Sequence, residues 1–142
     1  MKVAPILAEL HRHPEEFTPL FVHAGQHYDY QLSEVFAKAL ELPAPDAHLD
    51  VVRDNVAQQM ADIIAKFDRF LEERQPDLVM VVGDVTSTAA CALAAAQRFT
   101  PVAHVEAGLR SRDRTMPEEL NRLVADTLSD LLFTYSADAD QN

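Results

Sequence analysis

Carboxylates and arginines gather over residues 104–122, HVEAGLRSRDRTMPEELNR, in a chain whose composition is otherwise ordinary. Glu106 closes an apolar run that begins at Pro101 and stands two residues before Gly108. A carboxylate at the end of such a run is costly to bury without a partner. Arg110 is one candidate partner; the alternative is that burial tunes Glu106 as a general acid or base. His104 lies two residues earlier, so it shares a strand face with Glu106. It reads either as a hydrogen-bonded core residue or as a member of a site. Glu118 fits a capping box, Thr115-x-x-Glu118 with Pro117 in the first helical turn, whether or not it also does chemistry. Glu119 and Arg122, three apart, suit a pair on a helix surface.

The chain has only three glycines, Gly25, Gly83 and Gly108, and each follows directly on a strand-like apolar run. Ligands of open parallel α/β sheets bind outside the carboxyl ends of the strands, and glycine there allows tight turns and close backbone approach. Gln26 and His27 follow the first glycine; Asp84, Thr86, Ser87 and Thr88 follow the second; Arg110, Arg112 and Arg114 follow the third. Asp84 with the three hydroxyls reads as an N-cap cluster or as a seat for an anion or for sugar hydroxyls. Carboxylates and arginines converging on one edge suit acid–base work on an anionic, hydroxyl-rich substrate. Six scattered histidines, one cysteine and no HExxH give no metal constellation, so no metal site is expected. There is no P-loop, GxGxxG or GxSxG motif.

These groups need elements to hold them. Val3, Ile6, Leu7 and Leu10 share a helical face, closed by Pro14. TPLFVHAG reads as a buried strand, Leu32, Val35, Phe36, Ala39 and Leu40 as the next helical stripe, and AHLDVV as a short strand. Val56, Met60, Ile63, Ile64, Phe67, Phe70 and Leu71 predict a long amphipathic helix capped by Asp54 or Asn55. PDLVMVVGD is the clearest strand, a continuous apolar run of the kind found where both sheet faces are covered. An alanine-rich helix, the strand PVAHVEAG, a helix from about Pro117 and a strand-like DLLFTYS complete the chain. The alternation predicts an α/β fold: a Rossmann-like parallel sheet with helices on both faces, in one domain over residues 1–142.

The formal charge of −11, from 12 basic and 23 acidic side chains, argues against a nucleic-acid or anionic-membrane surface while leaving room for a local cationic pocket. No stretch approaches the roughly 18 apolar residues of a membrane span, and no signal-peptide pattern opens the chain. Cys91, in an alanine-rich run, reads as a small buried hydrophobe in a reducing cytoplasm.

Three segments, GQHYDYQLSEVF, PDLVMVVGDVTSTAACALAAAQRFTPVAHVEAGLRS and DRTMPEELNRLVADTLSDLLF, resemble UDP-N-acetylglucosamine 2-epimerase of the non-hydrolysing type, in order and with matching spacing. The resemblance implies the N-terminal half of a two-domain GT-B architecture with its site in the interdomain cleft. It implies C2 inversion of a UDP-sugar with no cofactor, by elimination of UDP to a 2-acetamidoglucal and re-addition. Asp84, Glu106 and Glu118 match the family's acidic positions. Gln26 and His27 match a loop in a supporting role, and Thr86, Ser87, Thr88, His104, Arg110 and Arg114 fall on the substrate side. Relatives acting on UDP-2,3-diacetamido-glucuronic acid share these motifs. Val85 stands where a threonine is usual, and YSAD replaces PTE near the end.

The family's opening strand with its GTRPE loop, and its nucleotide-binding second domain, have no counterpart here. The expectation is a homodimer-forming half that is inactive alone. Loss of the first, central strand would leave the strands ending at Gly25 and Gly83 to pair directly, to accept another chain, or to form a weak sheet. Two competing readings are a non-catalytic interaction module and half of a GT-B glycosyltransferase, the second leaving HVEAGLR unexplained.

Overall fold

The structure, a computed structural model, describes residues 2–25, 42–51 and 55–142. Gln26, His27 and the helical stripe from Leu32 to Leu40 lie outside the described residues. The chain divides into two compact units, Met1–Val52 and Arg53–Asn142.

In the first unit, helix α1 (Val3–Leu10) buries Leu7, and two short strands, β1 (Val22–His23) and β2 (Ala47–His48), pair in parallel. The Phe21 amide donates to the Asp46 carboxylate at 2.7 Å, which sets the entry to the ladder.

The second unit begins with helix α2 (Val56–Arg74). Asn55 supplies the cap, its side-chain oxygen accepting from the Gln58 amide at 2.9 Å. Ile63, Phe67 and Leu71, four residues apart, form its buried stripe. Gln75, in the left-handed conformation with φ +46°, ends it. Strands β3 (Val79–Val82), β4 (Val102–Val105) and β5 (Leu131–Phe133) form a parallel ladder in that order. Helix α3 (Thr86–Gln97) connects β3 to β4, and helix α4 (Pro117–Leu128) connects β4 to β5. Right-handed crossovers in one direction place both helices on the same side of the ladder. On that side α3 packs against α2, α4, β3 and β4. Its alanines explain the fit: Ala89, Ala90, Ala92, Ala94 and Ala95 are all buried, and side chains of one methyl let three helices and a sheet approach closely. The parallel α/β class expected from the alternation is the class observed. No described helix is long and apolar enough to cross a membrane.

Two sequence expectations change at helix starts. The capping box does not form. Thr115 turns instead to Asp113, whose carboxylate accepts from both its amide (2.9 Å) and its hydroxyl (2.6 Å). A residue before proline is pushed into extended conformation, so Met116 (φ −82°, ψ 121°) becomes the N-cap, with no side-chain bond, and Pro117 opens the helix. At α3 the N-cap is Val85, and neither Asp84 nor a hydroxyl supplies the cap.

Candidate active site

β3 and β4 run side by side, so the turns that follow them lie together at one sheet edge. Val82 pairs with Val105, and the Gly83 amide donates to the Val105 carbonyl at 3.0 Å. Asp84 and Glu106 leave from these adjacent ends. Gly83 has φ +78°, and the nearest atom to where its Cβ would stand is Oε2 of Glu106, at 3.6 Å. The Glu106 carboxylate therefore lies over the bare backbone of the neighbouring turn. Glu106 itself has φ +71°, a left-handed conformation uncommon for a side chain of its size. Its amide and that of Ala107 both donate to the Phe133 carbonyl, at 3.0 and 3.2 Å, which holds the unusual backbone in place. Strained backbone held by its surroundings concentrates at functional sites.

Helix α4 fixes the other candidate carboxylate. Arg122 places Nε and Nη2 at 3.0 and 2.7 Å from Oδ2 of Asp84, while Asn121 donates from its amide nitrogen to the Asp84 carbonyl at 2.9 Å. Both arginine contacts fall on one oxygen, and the Asp84 side chain stays 32% exposed. Burial alone would lower the basicity of the Arg122 guanidinium, but Asp84 and Glu119 more than offset this, so it is held above its ordinary pKa.

A second cluster shapes the loop after β4. His104 has no exposed surface. Its Nδ1 lies 2.5 Å from Oδ1 of Asp126 and its Nε2 lies 2.8 Å from the Gly83 carbonyl oxygen. Oδ2 of Asp126 accepts from the Gly108 amide at 3.0 Å and from Arg110 at 2.6 Å. Arg110 is thus the partner of Asp126, the nearly buried carboxylate of α4, and of the two readings of Glu106 the pairing with Arg110 is not the one seen among the described residues. Burial favours neutral Asp126, yet His104, Arg110 and the Gly108 amide together hold its pKa below the usual carboxylate range.

Glu119 corrects the expected surface pair. It does contact Arg122, at 3.0 Å, but it is only 2% exposed. Its carboxylate accepts from the Ser111 amide (2.8 Å) and hydroxyl (3.0 Å) and from the Arg112 amide (3.1 Å). These bonds, the Ser111 amide foremost, hold its pKa low against the effect of burial.

The hydroxyls after Asp84 divide. Thr88 is buried and donates to the Val82 carbonyl at 3.1 Å. Thr86 and Ser87 sit half-buried in the first turn of α3, where the leading helix amides have no helical partner. Glu118 and Arg114 are exposed, and no hydrogen bond or ion pair joins them to the Asp84–Glu106 edge among the described residues. A depression of about 440 Å³ is lined by Gly108, Arg110, Asp126, Thr134, Ala139 and Asn142 and includes neither Asp84 nor Glu106.

The sequence analysis missed Asp126 and the reach of Arg122 and Asn121. Their signal was present: Glu119, Arg122 and Asp126 are spaced three and four apart, hence on one helix face. That face is the one α4 buries, while Leu120 (43%) and Val124 (40%) are exposed.

The arrangement can present two anchored carboxylates, a helix start and nearby arginines to one ligand. The model of the family described as UDP-N-acetylglucosamine 2-epimerase matches residues 8–142. A UDP-N-acetylglucosamine 2-epimerase homolog from Methanococcus maripaludis is 43% identical over all of this chain and 39% of its own length. The UDP-2,3-diacetamido-2,3-dideoxy-D-glucuronate 2-epimerase of Pseudomonas aeruginosa is 40% identical over 119 residues, 84% of this chain and 34% of its own. The crystal structure of the Neisseria meningitidis UDP-GlcNAc 2-epimerase bound to UDP-GlcNAc superposes with a TM-score of 0.91 at 32% identity, covering 99% of this chain and 39% of that one. The chain spans between about a third and two fifths of the length of the relatives it matches (34% and 39%). The family model, these relatives and the shared fold agree: the chain belongs to the UDP-N-acetylglucosamine 2-epimerase family.

Proposed function

We propose that this chain forms the N-terminal Rossmann-like half of a UDP-sugar 2-epimerase, carrying its acid–base groups and requiring a nucleotide-binding half for turnover. The observation that carries the reading is the placement of Asp84 and Glu106 on adjacent strand ends, each fixed by backbone or by α4. In the reaction, a carboxylate takes the C2 proton and the C2–H electron pair becomes the C1=C2 bond. The C1–O bond breaks, and UDP leaves with that electron pair. Re-protonation of C2 from the opposite side and return of UDP give the epimer.

Asp84, Glu106 and Glu118 share the proton handling. Thr86, Ser87, Arg110 and Arg114 line the substrate side, with Gln26 and His27 in support and the buried Thr88 bracing the turn through the Val82 carbonyl. Anchored carboxylates suit this chemistry because proton transfer depends on a positioned group of matched basicity. The reaction needs no cofactor or metal. The substrate is a UDP-2-acetamido sugar; the Pseudomonas and Neisseria epimerases described above are named for different members of that class. A cytoplasmic location and a homodimer belong to this reading, with the buried Cys91 suiting a reducing compartment.

The test supplies the chain with a separately expressed nucleotide-binding half and follows UDP-N-acetylglucosamine in deuterated water by proton NMR. Expected are loss of the C2 proton signal and appearance of the epimer, both abolished in Glu106→Gln. Stable association of the halves without exchange would instead establish a non-catalytic binding module. Exchange only with the diacetamido-glucuronate substrate would reassign the sugar.

A further inference from the structure

We propose that His104 is an imidazolium at neutral pH, a buried positioning cation that clamps the turn after β3 to the loop after β4. The geometry points to it. Nε2 faces the Gly83 carbonyl oxygen at 2.8 Å, and a carbonyl can only accept, so Nε2 carries a proton. Nδ1 faces Oδ1 of Asp126 at 2.5 Å. The other oxygen of that carboxylate accepts from two donors, the Gly108 amide and the Arg110 guanidinium. The Arg110 guanidinium against this nearly buried carboxylate favours its ionised form, in which Oδ1 accepts and Nδ1 carries a proton as well. A ring with two N–H groups is charged.

The groups facing it are Asp126 from α4 and Glu106 from the loop, with Arg110 reaching it through Asp126. Two carboxylates and two cations therefore balance in one cluster. Burial works against the charged ring, but the bonds to Asp126 and Gly83 and the charges of Asp126 and Glu106 outweigh it. The consequence is mechanical. A neutral ring would have one donor and one acceptor and would leave either Gly83 or Asp126 facing a lone pair. The cation bonds both, tying the residue before Asp84 to the carboxylate that holds Gly108 and Arg110. His104 thus acts on the candidate carboxylates through backbone and charge, without touching a ligand.

This charge state does not depend on the reaction assigned to the site. It is tested on the 142-residue chain, labelled with nitrogen-15, by long-range proton–nitrogen spectra of the histidine rings. At about pH 8 a histidine of ordinary pKa, about 6.5, is almost wholly neutral. Expected is one ring with both nitrogens protonated at that pH, assigned to residue 104 through backbone connectivity, so that no variant needs to fold. A neutral, singly protonated His104 at about pH 8 overturns the proposal. The Asp126→Asn chain adds a second reading: with the countercharge gone, the ring's titration should fall by more than a unit of pH. Titration unchanged in that variant would equally overturn the clamp.

Discussion

Gly83 and Gly108 offer a paired perturbation in which one variable is held constant. Both have nearly the same backbone conformation, φ +78° and +79°, so an alanine at either position carries the same left-handed strain. That strain is about 1–2 kcal/mol. The space differs. A Cβ at Gly83 would meet only Glu106 Oε2 at 3.6 Å, an ordinary contact. A Cβ at Gly108 would stand 2.2 Å from the Ala139 carbonyl oxygen and 2.8 Å from its carbon, so backbone must move by about 1 Å to restore normal contact. Ala139 is buried and opens the short 3-10 turn Ala139–Gln141, and Asn142 donates from its side chain to the Gly108 carbonyl at 3.0 Å.

Displacing that turn forfeits a hydrogen bond of about 1 kcal/mol and a buried methyl of about 0.8 kcal/mol. Gly108→Ala should therefore cost about 2 kcal/mol more than Gly83→Ala, a gap of about 4–8 °C in Tm for a domain of this size. Urea unfolding followed by far-ultraviolet circular dichroism measures the difference. If the turn swings out as a piece, carboxypeptidase should trim residues 134–142 faster in Gly108→Ala than in the parent chain. Equal destabilisation by the two alanines, with equal protection of the C-terminal residues, would refute the reasoning.

Three further outcomes follow, two from the charge network and one from the burial of Cys91. Asp126→Asn should destabilise most between about pH 4 and pH 6.5: the depressed folded pKa of Asp126 contributes stability above its unfolded value and loses it as pH falls through the folded one, whereas the raised pKa of His104 contributes below its unfolded value and loses it as pH rises through the folded one. Urea midpoints measured from pH 3 to pH 8 check this, and a deficit that does not vary with pH contradicts it. Arg122→Met should lose about 2 kcal/mol and Arg122→Lys less, because lysine keeps a charge but not the fork that reaches Asp84 and Glu119 together; the comparison of urea midpoints decides. The Cys91 thiol, pushed up to about 12 by burial, should react with a disulfide reagent at pH 8 only after urea unfolds the chain, and rapid labelling of the native protein would contradict its burial.

The sequence showed most plainly what periodicity controls. The continuous apolar run before Gly83 became β3, and the four-residue spacing of Ile63, Phe67 and Leu71 became the buried face of α2, with Asn55 as its cap. Spacing also placed Asp84 and Glu106 just past their strands. Pairing choices were not legible. Thr115 and Glu118 fit a capping box equally well on paper, but Asp113 captures the threonine and Pro117 moves the cap to Met116. The third helical position then falls on Glu119, whose carboxylate turns to the amides of Ser111 and Arg112. Arg110 had two acidic neighbours to choose from, and only the fold shows that Asp126 is the nearer.

The common cause of these misses is α4. A helix normally buries its apolar face, and an amphipathic reading would sink Leu120 and Val124. Here they are exposed while Glu119 and Asn121 are buried. The inversion is affordable because each buried polar group meets a partner: Asn121 and Arg122 meet Asp84, Glu119 meets residues 111 and 112, and Asp126 meets Gly108 and Arg110 in the loop and the buried His104 of β4. A buried polar group without such a partner would be a large liability. Four side chains of one rigid helix therefore hold the turns that carry Asp84 and Glu106, so substitutions at Glu119, Asn121, Arg122 and Asp126 should alter the site's geometry without touching a ligand.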